Sequence, residues 1–276
     1  MEPFSIIESS KINEPRSAVV GFGSNGSSVI ELMESKKNSN IELIRSDENI
    51  NQIQKKLEGV DIVFLTGELG DQEYENSALR LAKITKDIGI LTIGIITESF
   101  DFDRKEDHGK AEDSFQELKK ESDSVIVIPK DISENLKIVD IIEGILGVIY
   151  ASGDNDISLD LIDLKTVMSY QGIAVAGIGE YQGKCAALNA MINAQSMPND
   201  SIKNASGILV HFTMHPEFYF MQLSEAMDII HNSVEESADV IFGTTTDETL
   251  PIDYIRITLI ATGFEKSRLV PANNIL

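Results

Sequence analysis

Through the first half of this chain, short runs rich in Val, Ile and Leu alternate with longer polar segments whose apolar residues recur at helical spacing. A chain patterned this way builds a parallel sheet with crossover helices. The predicted strands are 18–22, 41–44, 61–66, 91–97 and 124–128, and their near-continuous aliphatic content predicts burial on both faces. Helices are predicted over 26–36, 48–58, 74–87 and 109–121. Pro129 closes the fifth strand. Residues 133–151 then read as a long helix with an apolar stripe of Leu136, Val139, Ile142, Ile145, Leu146 and Ile149. The stripe Ile138, Ile142, Ile145, Ile149 is read as core, not as an interaction surface. The turn formers Ser152-Gly153-Asp154-Asn155-Asp156 break the helix and mark a domain boundary. Beyond it the texture changes to predicted strands 173–179, 207–213, 240–245 and 254–261, with helices 184–194 and 221–234. That is a second, smaller α/β unit.

Charge narrows the partners. Lys plus Arg number 23 against 45 Asp plus Glu, a net charge of −22, which repels phosphate backbones and anionic bilayers alike. Neither nucleic acid nor direct membrane insertion is expected. The start of the chain lacks a signal-peptide pattern, and the longest apolar run is interrupted by Asp140 and Glu143, so a cytoplasmic protein is expected. A lone cysteine, Cys185, rules out an internal disulfide framework and a Cys-rich zinc module, and with no flanking base it is given no catalysis.

Gly21-Phe22-Gly23-Ser24-Asn25-Gly26 follows a predicted strand and opens a helix, fitting the G-x-G-x-x-G pattern that lets backbone amides approach a diphosphate. Asp47 stands about twenty residues on, where a ribose-binding acid sits in a dinucleotide fold, so a nucleotide-linked enzyme of the NAD type is one reading. A tight strand-to-helix turn is the other. His211 and His215 flank a strand end before Pro216, not a helix face, and no metal site is assigned to them. Glu68, Asp71, Glu73 and Glu75 could attract a divalent cation, or form a solvated, charged helix start.

A family resemblance emerges from several segments taken together. Gly89-Ile90-Leu91-Thr92-Ile93-Gly94-Ile95-Ile96-Thr97, Val125-Ile126-Val127-Ile128-Pro129, the run from Asp160 to Ser169, Ala176-Gly177-Ile178-Gly179-Glu180, Ile241-Phe242-Gly243 and Ile260-Ala261-Thr262-Gly263-Phe264 stand in the order and nearly the spacing of FtsZ, the prokaryotic relative of tubulin. Over residues 17 to 264 the chain resembles the FtsZ/tubulin superfamily. The resemblance implies a tubulin/FtsZ-like α/β fold. Its parts would be a flexible segment at 1–16, a Rossmann-like, GTP-binding-type parallel-sheet domain at 17–132, a central helix and loop at 133–158, a carboxy-terminal α/β domain at 159–264 and a short tail at 265–276.

Departures from the family fall where nucleotide should bind. The signature phosphate loop G-G-G-T-G-T-G corresponds here to Gly70-Asp71-Gln72-Glu73-Tyr74-Glu75-Asn76. Glycines in such a loop supply positive φ and close backbone approach. Asp71, Glu73 and Glu75 would instead bring carboxylates toward a polyanion, and a like-charge contact at about 4 Å costs on the order of 4 kcal/mol at an effective dielectric of about 20. A tenfold loss of affinity needs only about 1.4 kcal/mol. The first loop keeps Gly21, Gly23 and Gly26, which with Gly70 are the vestigial phosphate-loop positions, but has Ser24 and Asn25 in place of further glycines. Arg45-Ser46-Asp47 replaces Asn-Thr-Asp, Pro129-Lys130-Asp131 replaces Pro-Asn-Asp, and Glu134 and Ile138 stand where a base-stacking Phe and a guanine-side Asp are expected.

The family's inter-subunit catalytic loop is largely kept. Its N-x-D-x-x-D pattern reads Ser158-Leu159-Asp160-Leu161-Ile162-Asp163, and the resemblance implies that Asp160 and Asp163 would position the attacking water and cation at a neighbour's nucleotide. Alternatively, both cap the helix predicted from 161 to 170. The leading expectation is an FtsZ-like cytoskeletal or cell-division protein without ordinary GTP binding or any resident cofactor, associating with itself or with an authentic FtsZ subunit. The alternative is an active GTPase using GTP and Mg2+. The chain stops about a dozen residues after Phe264, and two readings stand open: the sequence is a piece of a longer protein, or the family's membrane anchors are not reached through a carboxy-terminal linker and peptide.

Overall fold

The aliphatic runs of the first half form parallel strands β1 (Ser17–Gly21), β2 (Ile41–Arg45), β3 (Ile62–Glu68), β4 (Leu91–Glu98) and β5 (Ser124–Pro129). Helices α1 (Gly23–Ser35), α2 (Ile50–Lys56), α3 (Gln72–Asp87) and α4 (Lys105–Glu121) connect them, as the period change from two to 3.6 requires. This computed structural model describes residues 15–36, 40–45, 50–68, 72–98, 105–129, 134–153, 156–170, 172–195 and 202–264. The long helix α5 (Glu134–Tyr150) leads to α6 (Leu161–Met168), β6 (Ile173–Gln182), α7 (Ala186–Gln195), a 3₁₀ turn (Ile202–Asn204), β7 (Gly207–Met214), α8 (Met221–Ser233), β8 (Asp239–Thr246) and β9 (Tyr254–Phe264).

Among the described residues the strands make one nine-stranded sheet, ordered β2-β1-β3-β4-β5-β6-β9-β7-β8. The first half is wholly parallel. In the second half β9 runs antiparallel to both β6 and β7, while β7 and β8 are parallel. Two residue pairs, Val125↔Ile173 and Ile126↔Ala174, carry the sheet from one half into the other.

Helix α5 is the spine that ties the halves together. Ile138, Ile142, Ile145 and Leu146 are buried in a cluster that also holds Val29 and Ile30 of α1, Phe64 of β3 and Leu209 of β7. Each such side chain contributes about 1.5–3 kcal/mol when fully buried. The opposite face of the sheet holds the other two clusters, under α2 to α4 in the first half and under α7 and α8 in the second.

Three local readings are corrected. Helix α1 opens at Gly23, not at position 26, because Gly23 takes φ +64° and turns the chain out of the extended Phe22 directly into the helix. Cys185 lies just before α7 with φ +57°, a left-handed turn residue and not a helical one. Leu136 is 53% exposed, since it stands in the first turn of α5 and burial begins only at Ile138.

Candidate functional site

Strand order places α1 at a topological switch point. The chain moves from β1 outward to β2 and then back past β1 to β3, and in open α/β sheets ligands bind in the crevice beyond the strand ends at such a reversal. Gly21 and Gly26 let the helix start settle onto the strands. A Cβ on Gly21 would lie 2.3 Å from the Gly26 carbonyl oxygen, and one on Gly26 would lie 2.6 Å from that of Thr66. The Phe22 amide donates to the Thr66 carbonyl at 2.9 Å and fixes the turn. The first turn of α1 has no side-chain cap and no acidic residue, so its positive end is left for an anion.

Two buried hydroxyls lie at the same end of the sheet. Thr66 and Thr97 are fully buried, and neither Oγ1 has a hydrogen-bond partner. Strand alternation puts them on the same face as Phe64 and Ile95, the face covered by α1 and α5, at the carboxyl ends of β3 and β4. An unsatisfied buried hydroxyl costs about 1–3 kcal/mol. The start of α1 and two partnerless hydroxyls thus lie at the same, carboxyl end of the parallel strands. Gly70, Asp71 and Asp47 lie outside the described residues, and Glu73 and Glu75 fall within the first turns of α3.

At the other end of α5 the chain forms a pinned loop. Asp156 organises it: one carboxylate oxygen accepts from the Thr246 amide at 2.8 Å and the Thr246 hydroxyl at 2.9 Å, and the other accepts from the Gly153 amide at 2.8 Å. Ile157 bridges to Thr244 of β8, and the Leu159 amide donates to the Val148 carbonyl at 2.6 Å. Asp160 then caps α6, accepting from the Ile162 and Asp163 amides through one oxygen and leaving the other open. Asp160, Ile162 and Asp163 are all exposed, with Ile162 at 71%. Of the two capping residues expected from the sequence, Asp160 alone caps, Asp163 standing in the first turn, and both residues are exposed.

An apolar patch shares this end of the molecule. Strands β7 and β8 finish side by side at Met214↔Thr246. Tyr219, Phe220 and Met221 follow β7 directly, and Tyr219 is 68% exposed. Ile252, in the turn from β8 to β9, and Tyr181, paired with Ile255 near the start of β9, are exposed as well. Sequence reasoning passed over this patch and over Asp156. The run Phe218-Tyr219-Phe220-Met221 ahead of a helix was the signal for the first, and an Asp within a turn cluster was the signal for the second.

The histidines do not converge. His211 lies inside β7, 4% exposed, with Nε2 2.8 Å from the Thr245 hydroxyl, whereas His215 Nδ1 accepts from the Glu217 amide at 3.0 Å. Burial pushes the His211 pKa down to about 4. Among the described residues no group of three or more His, Cys, Asp or Glu is placed to hold a metal, and no helix is long and apolar enough to cross a membrane.

Comparison with known proteins bears on this arrangement. The profile of the FtsZ family, C-terminal domain, matches residues 172–265. The chain is 32% identical over 241 residues to the cell division protein FtsZ of Helicobacter pylori strain 26695, covering 80% of this chain and 62% of that protein. The strain J99 protein gives the same identity and coverage. The chain thus spans somewhat less than two thirds of the length of these relatives. Among solved structures, an empty FtsZ dimer of M. jannaschii superposes with a TM-score of 0.79 at 22% identity, covering 92% of this chain and 89% of that one. CetZ1 from Haloferax volcanii, a GDP-bound monomer, gives 0.70 at 15% identity, covering 90% and 94%. Both likenesses establish the tubulin/FtsZ-like fold.

Proposed function

The chain is a member of the FtsZ/tubulin superfamily, and from that membership we propose that it is an FtsZ-like cell-division or cytoskeletal subunit that associates head to tail. The observation that carries the reading is the placement of two unlike faces at opposite ends of α5. The cradle of Gly21, Gly23 and Gly26 lies beyond the strand ends near its start, and the loop of Asp160 and Asp163 with the Tyr219 patch lies past its finish. Seventeen residues of helix separate them by about 25 Å. Unlike faces at opposite ends generate an open row of subunits, not a closed pair.

In this reading the Asp160 face docks onto a copy of the chain or onto an authentic FtsZ subunit, and ordinary GTP binding is lost. The support is chemical: Asp71 replaces a glycine, and Glu73 and Glu75 both threonines, of the second phosphate loop. A subunit of this kind modifies or terminates a filament, presenting a catalytic face while its own nucleotide face is altered.

A second reading is favoured by the partnerless Thr66 and Thr97 hydroxyls and the uncapped start of α1. With these groups holding phosphate, the chain would be a working GTPase that binds GTP and Mg2+, and Asp160 and Asp163 would position the attacking water at the neighbour's nucleotide. Titration of fluorescent GTP into the purified chain with Mg2+, after removal of any co-purified nucleotide, separates the two. No binding up to millimolar concentration agrees with the first reading. Micromolar binding overturns it in favour of the second.

A further inference from the structure

The carboxyl ends of α3 and α4 converge on a cavity of about 300 Å³, lined by Lys86, Lys119, Lys120 and Ser122 among others. We propose that this cavity binds a small phosphate-bearing molecule.

Three lysines gathered at one opening stand out in a chain of net charge −22. Their local pairing leaves positive charge in excess. Lys120 pairs with Glu121 at 3.4 Å, and Lys86 donates to the Lys120 carbonyl, which leaves its charge uncompensated. Lys119 makes no ion pair among the described residues. The one carboxylate in the lining, Asp123, is engaged by the Thr92 amide at 2.8 Å. Helix dipoles account for lysines in the last turns of α3 and α4. They do not account for a cavity where those turns meet.

Ser122 supplies the independent observation. It is 5% exposed, its amide closes α4 by donating to the Leu118 carbonyl at 2.9 Å, and its buried hydroxyl has no hydrogen-bond partner. A ligand oxygen in the cavity would satisfy it. The Gln116 side-chain amide, also in the lining, donates to Glu112 at 2.8 Å and keeps a second hydrogen to give. Lysines without an arginine, beside a hydroxyl donor, suit a compact tetrahedral oxyanion, which point charges hold without a planar fork. The volume is at the small-molecule end of binding cavities, larger than a bare phosphate. Gly172, which also lines the cavity, takes φ +131° immediately before β6, so the site sits where the second half of the sheet begins.

Amide NMR of the whole chain during titration with inorganic phosphate, glycerol 3-phosphate and acetate at constant ionic strength tests the assignment. Saturable shifts at Ser122, Asp123 and Gly172 are expected, with glycerol 3-phosphate at least as tight as phosphate and acetate at least tenfold weaker. Lys119→Gln is expected to weaken phosphate binding about tenfold, and Ser122→Ala severalfold, with unchanged spectra elsewhere. Shifts that never saturate, that survive both substitutions, or that appear only at Gly23 to Gly26 would overturn the proposal.

Discussion

Gly147 of α5 lies directly against the buried ring of His211 in β7: a Cβ on Gly147 would fall 2.3 Å from Cε1 and 2.5 Å from Nε2. The contact is completed by a relay. The Thr245 hydroxyl stands 3.3 Å from the Gly147 carbonyl, to which it donates, and accepts from His211 Nε2 at 2.8 Å, so the neutral ring carries its proton on Nε2. One turn earlier Gly144 lies as closely on Thr258. The central helix therefore reaches the second half of the sheet through glycines, at distances no larger residue allows.

Gly147→Ala is expected to destabilise the fold. Alanine in a helix interior gains up to about 1 kcal/mol over glycine, but overpacking against an immovable ring costs about 1–3 kcal/mol. The expected balance is a lower urea midpoint with an unchanged slope. A raised midpoint would show that α5 is not seated against His211 in solution.

His211 also sets a pH dependence. Burial lowers its folded-state pKa from 6.5 to about 4, with Arg256 acting in the same direction and Asp156 opposing. The unfolded chain therefore takes up the proton first as pH falls. Stability from this group is full above about pH 6.5, drains away toward pH 4, and changes no further below it. The span is worth about 3 kcal/mol. Comparing urea unfolding of the wild type and His211→Gln from pH 7 to pH 4, the wild type is expected to lose about that much more than the variant. Parallel losses would contradict a neutral buried imidazole.

Asp160 separates structure from association. Asp160→Ala removes the cap on α6 and is expected to cost about 1 kcal/mol. Asp160→Asn keeps an acceptor for the Ile162 and Asp163 amides while deleting the charge. It is expected to retain stability in thermal unfolding and to weaken association. Unaltered association in both variants would reduce Asp160 to a helix cap.

Most of the architecture was legible because periodicity is a local signal. The aliphatic runs at β1, β3, β4 and β5 and the stripe on α5 fall where the pattern puts them, within a few residues. The misses have physical causes. Gly23 and Cys185 differ from their predicted settings through positive φ, which composition does not display. Thr66 and Thr97 read as ordinary strand threonines, since a missing partner is a property of the assembled sheet. Met221 reads as the start of a helix and Tyr219 and Phe220 lie outside any predicted element, and their exposure depends on β7 ending where it does. The glycines of the first loop were legible as a tight strand-to-helix turn, because Gly21 and Gly26 answer to close backbone approach and Gly23 to a left-handed turn.

Sedimentation velocity across a concentration series, with and without GTP and Mg2+, most directly tests association through the face of Asp160 and Tyr219. Oligomers that grow with concentration, do not require GTP and are lost in Tyr219→Asp at unchanged thermal stability are the expected result. A monomer at every concentration that also fails to co-sediment with FtsZ, or oligomers indifferent to Tyr219→Asp, would contradict it.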